Sequence, residues 1–154
     1  MKTWVWFVVL AVVSWGAYVP TVHHGASAFG GGRGSFRAFL FVGVAYFLMA
    51  GAILLYLAMT KTEPLVISGK GATLSTFAGL CGALGALGVI FATSPRFGGT
   101  PLVVAPLVFA GAPIVNTFVS MLWDKPAKAP NALFYLGLVL AACGAAMVLR
   151  FRPT

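Results

Sequence analysis

The chain alternates between long apolar runs and short polar segments, and this pattern predicts five membrane-spanning helices. At ~1.5 Å per residue, the three middle runs are long enough to cross a hydrocarbon core of ~30 Å, while the first and last are shorter. We therefore expect an all-α integral membrane protein that forms a single transmembrane domain over residues 1–154. The predicted spans are approximately 4–19, 38–59, 72–93, 101–123 and 131–149.

Composition supports a membrane protein. Of the 154 residues, 60% are hydrophobic and 8% are charged, whereas a soluble domain carries about a quarter charged residues. The net charge of +8 would suggest nucleic acid as the partner of a soluble protein. Here the basic residues lie between and after apolar runs, as membrane-interface anchors do. We expect the lipid bilayer as a partner, and no nucleic acid.

The first apolar run has two interpretations. Lys2 followed by this run, with Ala26-Ser27-Ala28 further along, fits a cleaved signal peptide. Trp15, Tyr18 and Pro20 are unusual in a signal, so we expect an uncleaved helix. Trp15 and Tyr18 are also typical of the aromatic belt at the membrane boundary. After this span, residues 21–36 are rich in glycine and predict a flexible connector.

Residues that support catalysis or metal binding are scarce. The adjacent His23 and His24 would point to different faces of a helix and make a poor metal site. Cys81 and Cys143 lie within apolar runs, so we expect small buried hydrophobes and not a disulfide or metal site. The sequence shows no carboxylate pair, serine–base arrangement or cofactor loop. We expect no enzyme activity, no cofactor and no bound metal.

The fourth span is the most unusual. It contains Pro106, Pro113, Asn116 and Thr117 but no charged residue. An interior proline removes one backbone hydrogen bond, and lipid cannot replace it. One interpretation is a broken helix with a polar site near the membrane midplane, as transporters build. The other is a kinked packing helix in which Asn116 bonds to a neighbour.

Small residues predict close helix packing in the third and fifth spans. Ala78, Gly82 and Ala86 form a row with four-residue spacing, which lets a partner helix approach closely. The helix-packing candidates are Gly79, Gly82, Gly85 and Gly144.

The basic residues give no orientation. If the five spans alternate in direction, one side of the membrane receives Lys2, Lys61, Lys70, Lys125 and Lys128, and the other receives Arg33, Arg37, Arg96, Arg150 and Arg152. The two sides carry equal numbers of basic residues, so the positive-inside rule predicts no orientation. Such a chain can insert both ways as an antiparallel pair, or be oriented by a partner.

Short motifs in the first span and the last two spans carry a family resemblance. They are Trp15-Gly16, Ala105-Pro106-Leu107, Pro113, Leu122-Trp123-Asp124-Lys125-Pro126, Leu136-Gly137-Leu138-Val139-Leu140 and Gly144. In this order they resemble the drug/metabolite transporter (DMT) superfamily in its EamA-like form. The fold implied is a half-size repeat that needs to dimerise to form a pathway. The small multidrug-resistance branch has a glutamate in its first helix, and this chain has none there.

The resemblance implies a transporter of a small metabolite in the bacterial inner (cytoplasmic) membrane, acting as a homodimer. Together with the fourth span, it makes Asn116, Thr117, Pro113, Trp15 and Tyr18 the substrate-path candidates. Two further aromatic residues that could line the path are Tyr46 and Tyr56. The alternative function is a non-catalytic structural subunit of a larger membrane complex. The usual mark of an ion pathway, an ionisable group inside a span, is absent from the predicted spans.

Overall fold

The structure, a computed structural model, describes residues 3–30, 33–124, 126 and 128–152. Over these residues the regular elements are helices: α1 Trp4–Ala28, α2 Ser35–Thr60, α3 Gly69–Ala92, α4 Pro101–Trp123 and α5 Ala132–Arg150. All five are long and apolar enough to cross a membrane. The prediction of an all-α chain with five helices of spanning length is confirmed, and it is consistent with an integral membrane protein.

The prediction of a flexible connector after the first span was wrong in its first half. Helix α1 continues past Val19 and ends at Ala28. The other four helices begin and end within three residues of their predicted spans. Lys2 and Lys125 of the charge comparison, and Gly31 and Gly32 of the connector, lie outside the described residues.

Local hydrogen bonds explain why α1 continues through Pro20. The Thr21 hydroxyl donates to the carbonyl of Ala17 at 2.8 Å, and the Ser27 hydroxyl donates to the carbonyl of His23 at 2.9 Å. These polar side chains therefore satisfy themselves on their own helix and do not require a loop. Pro20 costs the helix one backbone bond, which a long apolar helix tolerates.

The helices fall into two compact units, residues 1–98 with α1–α3 and residues 99–154 with α4–α5. The expectation of a single domain stays a prediction. The core of the first unit contains Val22, Ala26, Ala38 and Ile90, with Tyr18, Phe29, Phe39 and Val42 packed against it. This core lies where α1 ends, α2 begins and α3 ends, so the three helices are joined mainly at one end.

Gly34 permits the tight passage from α1 into α2. A Cβ at this position would overlap the carbonyl oxygen of Ala26 and would lie 3.0 Å from the Cβ of Phe29. The φ of Gly34 is −83°, so the requirement for glycine is steric and not conformational. Gly30 is different, because its φ of +104° favours glycine through the backbone itself.

In the second unit, α4 packs against α5. Helix α4 contains both Pro106 and Pro113, and its helical assignment runs from end to end. The interpretation of the fourth span as a broken helix is therefore wrong. Each proline removes one bond from the series, and the bonds on either side keep the helix continuous. Helix α5 begins at a capped end, where the Asn131 side chain accepts from the backbone N–H of Phe134 at 3.0 Å.

Several small residues that were expected to pack face open space. A Cβ built at Gly79, Gly82, Gly85 or Gly144 meets no atom within 4 Å. Over the described residues, close packing at these glycines is therefore not formed within either unit, and packing against a partner stays a prediction. Cys81 and Cys143 are exposed thiols, so the expectation that they are buried was wrong. Both lie on outward faces of apolar helices, where lipid would contact them.

Candidate functional site

A groove of about 580 Å³ lies between α1 and α2 in the first unit. Its volume falls within the range of roughly 300–1,000 Å³ that is typical of small-molecule sites. The walls are apolar, with a few hydroxyl groups. The lining residues are Ser14, Ala17, Tyr18, Thr21, Val22, Gly25 and Phe29 from α1 and its end, and Ala38, Phe41, Val42, Ala45 and Tyr46 from α2.

The α1 wall follows from helical spacing. Ser14, Tyr18, Thr21 and Gly25 recur every three or four residues, which places them on one face of a helix. Gly25 and Ala17 leave room where a larger side chain would fill the groove. The groove therefore depends on α1 remaining helical beyond Pro20.

The Tyr18 hydroxyl is the most informative polar group of the groove. Its oxygen is buried and has no hydrogen-bond partner among the described residues. A buried polar group left in this state costs roughly 1–3 kcal/mol. A molecule bound in the groove would recover this energy if the Tyr18 ring turned to bring its hydroxyl to the groove surface.

The neighbours of Tyr18 fix its position. The Trp15 ring meets the Tyr18 ring edge to face, with 5.3 Å between the ring centroids. These two predicted site residues, together with Ser14 and Tyr46, line a smaller cavity of about 140 Å³. The Thr21 hydroxyl already donates to its own helix, so it offers a ligand only its acceptor capacity.

A second cleft, of about 450 Å³, separates α2 from α3. The α3 wall consists of the small residues Ala78, Gly79, Gly82, Ala83 and Ala86, and the α2 wall contains Phe39, Val42, Gly43 and Tyr46. The predicted packing row thus borders an open cleft. Tyr46 lines both this cleft and the groove between α1 and α2.

The remaining predicted site residues lie on α4. The Thr117 hydroxyl donates to the carbonyl of Pro113 at 2.8 Å, within the same helix. Asn116 is exposed, and no hydrogen bond involves its side chain among the described residues. The alternative in which Asn116 bonds to a neighbouring helix is therefore not seen among the described residues of the second unit. A role for these three residues in a substrate path stays a prediction.

The groove between α1 and α2 suits noncovalent binding of an uncharged molecule. No charged residue is among its lining residues, and a buried charge without a partner would be costly. His23 and His24 have their ring centroids 5.6 Å apart, and they do not line this groove. No group of three or more potential metal ligands is found in the described part of the chain.

Sequence reasoning missed Ser14, Thr21 and Gly25 as groove residues. Their spacing from Tyr18 is a usable signal, but the connector predicted over residues 21–36 places Thr21 and Gly25 outside a helix. Comparisons with family models, with curated proteins and with solved structures find no match for this chain.

Proposed function

We propose that this protein is a small transporter of the drug/metabolite type, embedded in a membrane and acting as a homodimer. Its substrate is a small, uncharged, largely apolar metabolite that carries at least one hydrogen-bond acceptor. The observation that carries the proposal is the groove between α1 and α2, with the buried and unpartnered Tyr18 hydroxyl. The EamA-like motifs of the sequence support the family, and that family suggests the bacterial inner membrane.

The chemistry of the groove sets the substrate class. Apolar walls gain by burying apolar surface, and a single buried donor selects a molecule with an acceptor at the matching position. A charged substrate would lose its hydration without meeting a counter-charge among the lining residues. The proposal assigns no catalytic residue and no cofactor.

The open small-residue faces support a homodimer. A half-size transporter needs a second repeat to enclose a pathway. Gly79 and Gly82 border a cleft and meet no atom within 4 Å. A helix of a second copy could approach closely there, since small residues allow backbones to come together in lipid.

Replacing Tyr18 with phenylalanine tests the site. The variant keeps the ring and removes the donor, so we expect kcat/KM for uptake into proteoliposomes to fall roughly five- to tenfold, the worth of one hydrogen bond. The assay screens labelled uncharged amphipathic solutes with the unaltered protein first. Tyr56→Phe is the matched control, because Tyr56 is exposed and does not line the groove. Equal uptake by the Tyr18→Phe variant and the unaltered protein would remove Tyr18 from the site.

The second candidate function is a structural subunit of a larger membrane complex. The same open faces at Gly79, Gly82, Gly85 and Gly144 favour it, because other subunits could dock there. We expect native mass spectrometry, after gentle extraction from the source membrane, to show a homodimer. Fixed amounts of other chains in the extracted particle would instead establish the subunit role and exclude the homodimer.

A further inference from the structure

One end of the first unit concentrates arginine without acid. Arg33 lies just before α2, Arg37 lies in its first turn, and Arg96 follows α3. All three are exposed. The sequence of this unit contains one carboxylate, Glu63, which lies in the connection between α2 and α3 at the opposite end of α2.

Two of these arginines each lie beside a phenylalanine ring. The guanidinium carbon of Arg37 lies 5.7 Å from the centroid of the Phe29 ring, and that of Arg96 lies 5.6 Å from the Phe97 ring. Further ring contacts connect the start of α2 with α3 and the residues after it. The ring centroids of Phe36 and Phe91 are 5.0 Å apart, and those of Phe91 and Phe97 are 6.1 Å apart. We call this set the arginine rim; it consists of Phe29, Phe36, Arg37, Phe91, Arg96 and Phe97.

The rim leaves the hydrogen-bonding capacity of the guanidinium groups unused. Each guanidinium lies within cation–π distance of its ring, and this electrostatic attraction does not require its N–H donors. Neither Arg37 nor Arg96 forms a hydrogen bond or ion pair over the residues that the structure describes. A planar set of donors matches the oxygens of a phosphate group, which accepts two parallel hydrogen bonds from one arginine.

We propose that the arginine rim binds the phosphate headgroup of anionic phospholipids. The apolar rings favour a lipid over free phosphate, because Phe36 and Phe97 are 65% and 61% exposed and offer apolar surface beside the cations. Helix ends of spanning length place the rim at the depth of the headgroups. The rim end then faces the leaflet that is richer in anionic lipid, which resolves the orientation that the equal lysine and arginine numbers leave open.

The opposite end of the unit provides a matched control. Lys61 and Lys70 are also exposed cations, but Glu63 lies between them in the chain. No ring contact to either lysine is formed within the described ranges. This end therefore carries net positive charge, but its described cations lack the ring contacts of the arginine rim.

The test is a lipid titration of the full-length protein in detergent, followed by native mass spectrometry. The probes are short-chain phosphatidylglycerol and phosphatidylcholine. We expect tighter binding of phosphatidylglycerol, and we expect Arg37→Gln/Arg96→Gln to weaken it roughly 30-fold, because each guanidinium loses its charge-assisted hydrogen bonds to the phosphate. Lys61→Gln/Lys70→Gln should weaken it far less. Circular dichroism checks that each variant keeps its helices, and Arg37→Lys/Arg96→Lys, which retains the charge, serves if the glutamine variant does not fold.

Four results would overturn the proposal. One is equal affinity of the unaltered protein for the two lipids. A second is unchanged phosphatidylglycerol binding in the Arg37→Gln/Arg96→Gln variant or, if that variant does not fold, in Arg37→Lys/Arg96→Lys, because bidentate binding needs the guanidinium. A third is an equal loss in the lysine variant, which would show general attraction to positive charge. The fourth is displacement of the lipid by inorganic phosphate beyond that caused by chloride at the same ionic strength, which would show a free-anion site.

Discussion

Replacing Gly34 with alanine is expected to destabilise the first unit by about 3 kcal/mol, the upper end of the cost of overpacking. The added methyl group would overlap the carbonyl oxygen of Ala26. A backbone oxygen inside a helix cannot move aside as the end of a side chain can. The start of α2 would therefore have to shift away from α1. The thermal unfolding midpoint in detergent should fall by roughly 6–12 °C.

Gly51→Ala is the control for this experiment. Gly51 lies within α2, and a Cβ there meets no atom within 4 Å. Alanine has the higher helix propensity, so this variant should keep the unfolding midpoint or raise it slightly. If Gly34→Ala unfolds at the same temperature as Gly51→Ala, the close passage between α1 and α2 described here is incorrect.

Replacing Gly25 with leucine is expected to abolish uptake of the substrate. Gly25 lines the groove between α1 and α2, and a Cβ there meets no atom within 4 Å. The Cβ of leucine would therefore meet no protein atom, and the rest of the side chain would occupy space at the groove wall. Because the change blocks the whole groove and not one hydrogen bond, its effect should exceed that of Tyr18→Phe. The measurement is the same proteoliposome uptake assay, with circular dichroism to verify folding.

Gly51→Leu is the control for this experiment. It distinguishes blocking of the groove from a general effect of a larger side chain on uptake. That position is equally open but is not among the lining residues of the groove. Gly51→Leu should transport at the normal rate. Substantial uptake by Gly25→Leu would show that the substrate passes elsewhere, and α4 with Asn116 would become the next site to examine.

The sequence was sufficient to predict the helices because lipid imposes a simple rule. Every backbone polar group of a span must be satisfied within the segment, so an uncharged run of spanning length predicts a helix. The predicted end of the first span was nevertheless wrong, because α1 continues to Ala28. Pro20, Thr21 and Ser27 are typical of turns in water, but in α1 the two hydroxyls bond to the carbonyls of their own helix.

The candidate site was less predictable, because it depends on the separation between helices. Trp15 and Tyr18 could be named from their type and position, and both border cavities in the structure. That the Tyr18 hydroxyl is buried without a partner is a property of packing against α2, which no pattern within α1 reveals. Sequence spacing also does not give the distance to a neighbouring helix. Gly79 and Gly82 have the spacing of a packing face, but their surroundings are open.

The one-ended core of the first unit has a mechanical consequence. Its buried residues lie in the second half of α1, the first turn of α2 and the end of α3. The three helices are therefore anchored to one another at this end of the unit. The small-residue cleft opens beside this core, between residues 39–46 of α2 and residues 78–86 of α3. In a bilayer, the acyl chains would contact α2 and α3 beside that cleft and so influence its width. We expect the thickness and unsaturation of the surrounding lipid to change the separation between α2 and α3 along this cleft.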